Sequence, residues 1–165
     1  MNIMQNDEEN KDNVLFTSDE YIIKNNNSVE IEYNSTKYYI LPYKTLPVNI
    51  IKEIGCVNKD NKILPITGFS KEDDCTDLDS VIRILYEQSG YNIVDITKWK
   101  KISFLKTDDL IKSNSICYIV DISVFPEIEN ENLNNFKMLS LNEIFKTNNV
   151  YLLSLLLKIY CLFYR

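Results

Sequence analysis

The first third of the chain carries short segments rich in β-branched, aromatic and other apolar residues, bounded by turn residues, and this pattern is typical of strands. The turn residues Asn34 and Ser35 separate two such segments, so a hairpin is predicted there. Pro42 is expected to end the second strand, because proline has no backbone N–H to donate. A turn is predicted at 58–61, where Asn and Asp cluster. The predicted strands of this part are 29–33, 37–41, 48–57 and 63–66.

The period then changes, and residues 76–89 predict an amphipathic helix. Thr76 is the expected N-cap, and Gly90 is the expected C-cap. The polar face carries charged residues at steps of four, so that Arg83 can pair with a neighbour on either side. The apolar face is formed by Leu78, Val81, Ile82 and Leu85, and the polar face carries Asp79, Arg83 and Glu87.

Strands are predicted again after Gly90, followed by helical structure at the end of the chain. A polar, acidic loop is expected at 126–135, and Ser140 is expected to cap a short helix at 141–145. This order of strands, helix, strands and helix predicts an α/β (α+β) fold in which helices cover both faces of a mixed central sheet. The later strands are predicted at 92–95, 101–105, 115–124 and 136–139.

The two ends of the chain differ strongly in polarity. Residues 1–20 are expected to form a disordered acidic tail, and residues 21–165 a single domain. The most hydrophobic stretch, 150–164, is interrupted by Ser154 and Lys158 and is shorter than the ~20 residues that a membrane span needs. A helix packed mainly on the core is therefore favoured over a tail anchor. The chain is expected to be soluble, cytoplasmic and free of membrane contacts.

Charge and residue content exclude several classes of function. The net charge of −6 disfavours binding to double-stranded nucleic acid, which depends on Lys and Arg. The basic run Lys98–Trp99–Lys100–Lys101 is better explained as a solvated face than as a phosphate groove. The chain has no histidine, which removes Ser-His and Cys-His catalysis and most zinc chemistry. The four cysteines form no CxxC pair, so reduced thiols are expected.

The segment from Arg83 to Tyr91 resembles the second half of the Nudix box, which reads Arg-Glu-apolar-x-Glu-Glu-x-Gly-apolar. The arginine, the middle glutamate at Glu87 and the glycine at Gly90 match this pattern. The segment from Phe136 to Ile144 is similar to the strand and short helix near the end of many Nudix domains. The resemblance implies a Nudix-like α/β/α sandwich.

The resemblance also implies the cleavage of nucleoside diphosphates linked to another group. For an active member, the resemblance implies Mg2+ or Mn2+ as the cofactor, held by glutamates of the helix, because such a cation polarises the pyrophosphate and activates the attacking water. Glu87 and Arg83 are the catalytic candidates, and Glu87, Gln88 and Asp74 are the candidate metal ligands. Ile84 and Gln88 stand where the family has glutamates, and aligning both halves of the box requires one inserted residue between Gly68 and Arg83. Further ligands could come from Asp73 or from the acidic loop at Glu127, Glu129 and Glu131.

For Arg83, Trp99 and Cys75, a functional role is less well supported than an ordinary structural one. Arg83 is expected to hold the helix to the preceding loop through a carboxylate. Trp99 is expected in the core, with stacking on a base as the minority alternative. Cys75 lies beside the helix N-terminus, but no partner base supports it as a nucleophile.

Because two carboxylates of the box are missing, we rank three functional hypotheses. The first is a Nudix-like domain that recognises a nucleoside diphosphate-linked compound, with hydrolysis weak or lost and no cofactor. The second is an active pyrophosphohydrolase that uses Mg2+ or Mn2+. The third is a non-catalytic structural or interaction subunit of a larger assembly. The partners that stay open are a nucleotide-type small molecule, a protein and a second copy of the chain.

Overall fold

The computed structural model describes residues 13–17, 21–25, 29–33, 35–47, 50–102, 111–112, 115–126 and 135–163. Within these ranges the chain forms strands in two sheets, and three α-helices. The strands are β1 (Asn13–Thr17), β2 (Tyr21–Asn25), β3 (Val29–Tyr33), β4 (Lys37–Thr45), β5 (Ile51–Lys59), β6 (Lys62–Leu64), β7 (Ile66–Phe69), β8 (Trp99–Ile102), β9 (Ile111–Lys112), β10 (Ser115–Asp121) and β11 (Phe136–Ser140). The helices are α1 (Asp77–Ser89), α2 (Leu141–Phe145) and α3 (Val150–Phe163).

The larger sheet is mixed and has seven strands. Its main path runs β11-β5-β4-β10-β8, while β6 pairs with β5 and β7 pairs with β4. Strands β4 and β10 are parallel, with Lys37 opposite Ser115 and Tyr43 opposite Asp121, and the other pairs are antiparallel. The smaller sheet runs β1-β2-β3-β9. The prediction of a mixed sheet combined with helices is confirmed.

Alternating residues of the central strand β4 face two different helices. Tyr38 and Ile40 belong to the core cluster under α1, and Leu41 and Tyr43 belong to the cluster under α3. This is the alternation that a strand buried on both faces produces. Each cluster is completed by the apolar face of its helix, so the sheet is sandwiched between α1 and α3. The helix residues buried there are Val81, Ile84 and Leu85 from α1, and Leu152, Leu155, Leu156 and Ile159 from α3.

The predicted hairpin between residues 29–33 and 37–41 is wrong, although both segments are strands. Strand β3 pairs with β2 and β9, while β4 pairs with β5, β7 and β10. The prediction that Pro42 ends the second strand is also wrong. On one edge of β4, residues 37–40 pair with β7 and residues 43–45 pair with β5. Pro42 lies between these two stretches, where neither partner requires its missing N–H.

The strand predicted at 92–95 is irregular backbone instead. Ile93 is buried, and its carbonyl accepts a hydrogen bond from Trp99 Nε1 at 2.9 Å. The carboxylate of Asp95 caps a short 3-10 helix, Ile96–Lys98, by accepting from Thr97 N at 3.0 Å. Side-chain hydrogen bonds therefore take the place of strand pairing.

Other element boundaries follow local turn chemistry. The predicted turn after β5 is confirmed, since Asp60 and Asn61 have φ of 52° and 59° between β5 and β6. The predicted strand 63–66 is divided at Pro65 into β6 and β7. The strand predicted at 115–124 ends at Asp121, whose Oδ1 accepts from Ser123 N at 2.9 Å. The part of the acidic loop that carries Glu127, Glu129 and Glu131 lies outside the described residues.

The ends of the described chain refine two expectations. Residues 13–17, inside the segment predicted to be disordered, form β1 and pair with β2. The division into a tail and one domain otherwise stays a prediction. Helix α3 packs on the core as expected, but its outward face carries Val150, Leu157 and Leu162, while Ser154 and Lys158 are half-buried. Among the described helices, none has the length and apolar character of a membrane span.

Candidate functional site

The candidate site is built on helix α1 and on the loop before it. Thr76 adopts extended backbone, and its side chain accepts from Asp79 N at 3.2 Å, as predicted for the N-cap. Gly90 ends the helix in the left-handed conformation, with φ of 76°, and its N–H donates to Tyr86 O at 2.9 Å. The two caps fix where α1 begins and ends, and its apolar residues Val81, Ile84 and Leu85 face the sheet.

Arg83 holds α1 to the preceding loop, which confirms its structural interpretation. Its Nε donates to Asp74 Oδ1 at 2.9 Å, and its Nη2 donates to Asp74 Oδ2 at 2.6 Å. The same Nη2 donates to Phe69 O at 2.9 Å. Asp74 Oδ2 also accepts from Lys71 N at 2.8 Å and from Ser80 Oγ at 2.7 Å. This two-point guanidinium contact fixes geometry as well as charge.

The electrostatics of this pair follow from its partners. The guanidinium of Arg83 holds the pKa of the Asp74 carboxyl well below its usual range, although partial burial opposes the shift. Asp74 in turn raises the pKa of Arg83. Only 8% of the Asp74 side chain is exposed, and both of its oxygens accept hydrogen bonds from protein donors.

Glu87 is the only box glutamate that the sequence retains, and two cations already contact it. Lys71 Nζ donates to Glu87 Oε1 at 3.0 Å, and Arg83 Nη1 lies 3.4 Å from both carboxylate oxygens. Burial alone would raise the pKa of Glu87, but the hydrogen bond from Lys71 and the charge of Arg83 together lower it. Glu87 is therefore ionised and paired within the protein.

The two substituted box positions, Ile84 and Gln88, face the sheet. Ile84 is 1% exposed and belongs to the core cluster with Ile40 and Ile66. Gln88 Nε2 donates to Thr67 O at 2.7 Å, which ties the helix to the backbone of β7. These residues join α1 to the sheet, and neither carries a negative charge toward solvent.

The residues present do not fit a Mg2+ or Mn2+ site of the family type. Such a site needs several oxygen ligands with negative charge. Asp74 is fully engaged with Arg83, Glu87 is paired with Lys71, and Gln88 contributes no charge. In the part of the chain that the structure describes, no group of three or more His, Cys, Asp or Glu side chains is placed to hold a metal.

A second polar cluster at the start of α1 was not found from the sequence. Asp77 Oδ1 accepts from Tyr38 Oη at 2.8 Å, and Asp77 Oδ2 accepts from Lys101 Nζ at 2.9 Å and from Tyr118 Oη at 3.4 Å. The hydrogen bond from Lys101 is the main reason why the pKa of Asp77 is lowered. The three partners of Asp77 lie on β4, β8 and β10, far from Asp77 along the chain, so the sequence alone does not show this cluster.

An open surface pocket of about 340 Å³ lies against the outer face of α1. Its wall combines the exposed ring of Tyr86 with apolar and polar groups. Trp99, the other aromatic candidate for stacking, is buried and donates to Ile93 O, which supports its interpretation as core. The pocket is lined by Asp79, Ile82, Arg83, Tyr86, Asn92 and Val94.

No protein-family model and no curated protein sequence matches the chain. Solved structures do match. The Nudix domain of Shewanella oneidensis NrtR, in complex with ADP ribose, is 14% identical, with a TM-score of 0.57 over 76% of this chain and 85% of that one. An ADP compounds hydrolase is 12% identical, with a TM-score of 0.54 over 88% of both chains.

A third match is the Ap4A hydrolase of C. elegans. It is 13% identical, with a TM-score of 0.50, and the match covers 79% of this chain and 98% of that one. Sequence identity of 12–14% does not indicate a shared activity, but the shared architecture extends over most of each chain. The mixed sheet and its covering helices are therefore those of a Nudix-like fold.

Proposed function

We propose that this chain is a Nudix-fold domain that recognises a nucleoside diphosphate-linked compound and hydrolyses it weakly or not at all. The proposal rests on the contacts of the three residues that stand at the glutamate positions of the box. Ile84 is buried in the core, Gln88 is bonded to Thr67, and Glu87 is paired with Lys71. A metal-activated water needs clustered carboxylates, which this arrangement lacks.

Recognition rests on the pocket beside α1 and on the structural relatives. The exposed ring of Tyr86 offers a stacking surface for a base, and Asn92 offers hydrogen bonds to a sugar or base. One relative with the same fold is described in complex with ADP ribose, and another as an Ap4A hydrolase. ADP-ribose is therefore the first compound to test, and we expect the chain to act in the cytoplasm.

The test measures binding and turnover separately. Isothermal titration of ADP-ribose and Ap4A into the full chain is expected to show binding, and product detection with Mg2+ or Mn2+ is expected to show little or no cleavage. Tyr86→Ala should weaken binding by about two- to tenfold, because one stacked ring contributes about 0.5–1.5 kcal/mol. Tyr160→Ala, which removes another exposed ring on α3, is the matched control.

Two outcomes would overturn parts of the proposal. Metal-dependent turnover that is lost in Glu87→Gln would restore the enzyme hypothesis, with Glu87 as a ligand or base and a second carboxylate still to be found. Absence of binding to either compound would remove the recognition half and leave a structural or interaction role.

A further inference from the structure

Lys71 is placed where its ammonium group reaches the retained box glutamate. Its backbone N–H donates to Asp74 Oδ2 at 2.8 Å, and its carbonyl accepts from Asp74 N at 3.1 Å. Asp74 is itself fixed by the two-point contact with Arg83. The main chain of Lys71 is thus held to α1 through Asp74, and its side chain extends to Glu87, with Nζ 3.0 Å from Oε1.

We infer that Lys71 takes the place of the divalent cation at Glu87, so that the chain binds its diphosphate ligand without Mg2+ or Mn2+. The diphosphate part of this inference rests on the proposed function. A metal ion at Glu87 would have to displace a bonded ammonium group and would be repelled by both Lys71 and Arg83. Mg2+ also needs several oxygen ligands, and Asp74 offers none that is not already bonded.

Lys71 and Arg83 differ in their freedom to contact a ligand. The Arg83 side chain is 22% exposed and is bonded to Asp74 and to Phe69 O. The Lys71 side chain is 59% exposed, and Glu87 takes one of its three N–H donors. A phosphate oxygen can therefore accept from another donor of Lys71 Nζ while Lys71 stays paired with Glu87 and Arg83 keeps the loop in place.

The first test measures metal binding alone and needs no nucleotide. Mn2+ is titrated into the native chain and into Lys71→Met, with bound and free ion distinguished by electron paramagnetic resonance. Removing the ammonium group should strengthen Mn2+ binding about threefold or more, because both the ion pair and the repulsion are lost. The gain should disappear in the double variant Lys71→Met/Glu87→Gln.

Two further variants separate charge from position. Lys71→Arg keeps a cation beside Glu87 and should bind Mn2+ as weakly as the native chain. Lys62→Met removes an exposed lysine on β6 and should also match the native chain. Unchanged Mn2+ affinity in Lys71→Met, or tight Mn2+ binding by the native chain that Glu87→Gln abolishes, would overturn the inference.

The second test measures ligand binding and distinguishes the two proposals. ADP-ribose is titrated into the native chain with excess EDTA and then with Mg2+, and equal affinities are expected. Lys71→Met should weaken binding in EDTA, and Lys62→Met should not. Binding that requires Mg2+ would overturn the role of Lys71 while recognition stands. Absence of ADP-ribose binding would overturn the diphosphate part, while the Mn2+ measurements still decide whether Lys71 replaces the metal.

Discussion

The side chain of Ile84 rests on the backbone of Gly68. A Cβ added to Gly68 would lie 2.8 Å from Ile84 Cγ1 and 2.9 Å from Ile84 Cδ1, which is closer than carbon atoms approach one another. Strand β7 and helix α1 therefore meet through a pair in which a glycine faces a β-branched residue. This pair makes position 84 a packing position, although the family pattern has a glutamate there.

The Gly68 contact predicts a specific coupling between two substitutions. Gly68→Ala should lower the free energy of unfolding by about 1–3 kcal/mol, because the added methyl group overpacks the contact. In the background of Ile84→Ala, which removes the opposing atoms, the same change should cost much less. Urea unfolding of the native chain, both single variants and the double variant measures the coupling. Strictly additive effects would contradict the contact.

Restoring the family glutamate at position 84 should damage the fold instead of rescuing activity. Ile84→Glu would bury an unpaired carboxylate in the core and remove an apolar side chain, so we expect a loss of about 3 kcal/mol or more. Ile84→Val, which keeps the apolar contact, should cost only about 0.5–1.5 kcal/mol. Thermal unfolding measures the stability of both variants, and a pyrophosphohydrolase assay measures whether Ile84→Glu gains activity. A stable Ile84→Glu variant with metal-dependent turnover would show that the position can open to solvent.

The Asp74–Arg83 pair should contribute more to stability than its surface neighbours. Asp74→Asn removes the charge that binds the guanidinium and leaves Arg83 partly buried, so a loss of about 2–3 kcal/mol is expected. Asp73→Asn, at the adjacent exposed carboxylate, should change stability by less than about 0.5 kcal/mol. Urea unfolding at neutral pH compares the two. Equal effects would mean that the pair is not a structural anchor.

The same pair predicts how stability depends on pH. The pKa of Asp74 is lower in the folded chain than in the unfolded chain, so the carboxylate contributes its full stability above its unfolded pKa, about 3.9. That contribution is lost as the pH falls from there toward the folded pKa. The stability difference between the native chain and Asp74→Asn should therefore be constant at neutral pH and shrink in acid. A difference that grows in acid would have the wrong sign.

Local signals in the sequence predicted the helix but not its contacts. Thr76 and Gly90 cap α1 as expected, because capping depends on residues within one turn of the helix end. The sequence also predicted that a carboxylate of the preceding loop anchors Arg83, but it did not identify that carboxylate as Asp74, which was assigned as a candidate metal ligand. The contact between Lys71 and Glu87 was not, because the sequence does not show the path of the loop between them.

The sheet shows the same limit. The residue types of β3 and β4 predicted both strands, but the pairing of β4 with the distant β10 could not be read from either segment alone. The predicted hairpin between β3 and β4 was therefore wrong, because the two strands belong to different sheets. Ile84 shows the same difficulty at the site. The family pattern indicated only that a metal ligand is missing at this position, and the structure was needed to show that Ile84 is a core residue.

Helix α3 should be indispensable for folding, which distinguishes a core element from a docking segment. Leu155 and Leu156 are buried against the sheet with two further α3 residues, and each side chain of this kind stabilises by about 1.5–3 kcal/mol. The sum is comparable with the whole stability of a small domain, about 5–15 kcal/mol. Deletion of residues 150–165 should therefore give a chain without a cooperative thermal transition.

A paired substitution tests the same point in the intact chain. Leu155→Ala should cost about 2–5 kcal/mol because it leaves a cavity, whereas Leu157→Ala on the exposed face should cost little. Circular dichroism and urea unfolding measure both. A truncated chain that stays folded, with Leu155→Ala no worse than Leu157→Ala, would instead support a subunit that docks on a partner through α3.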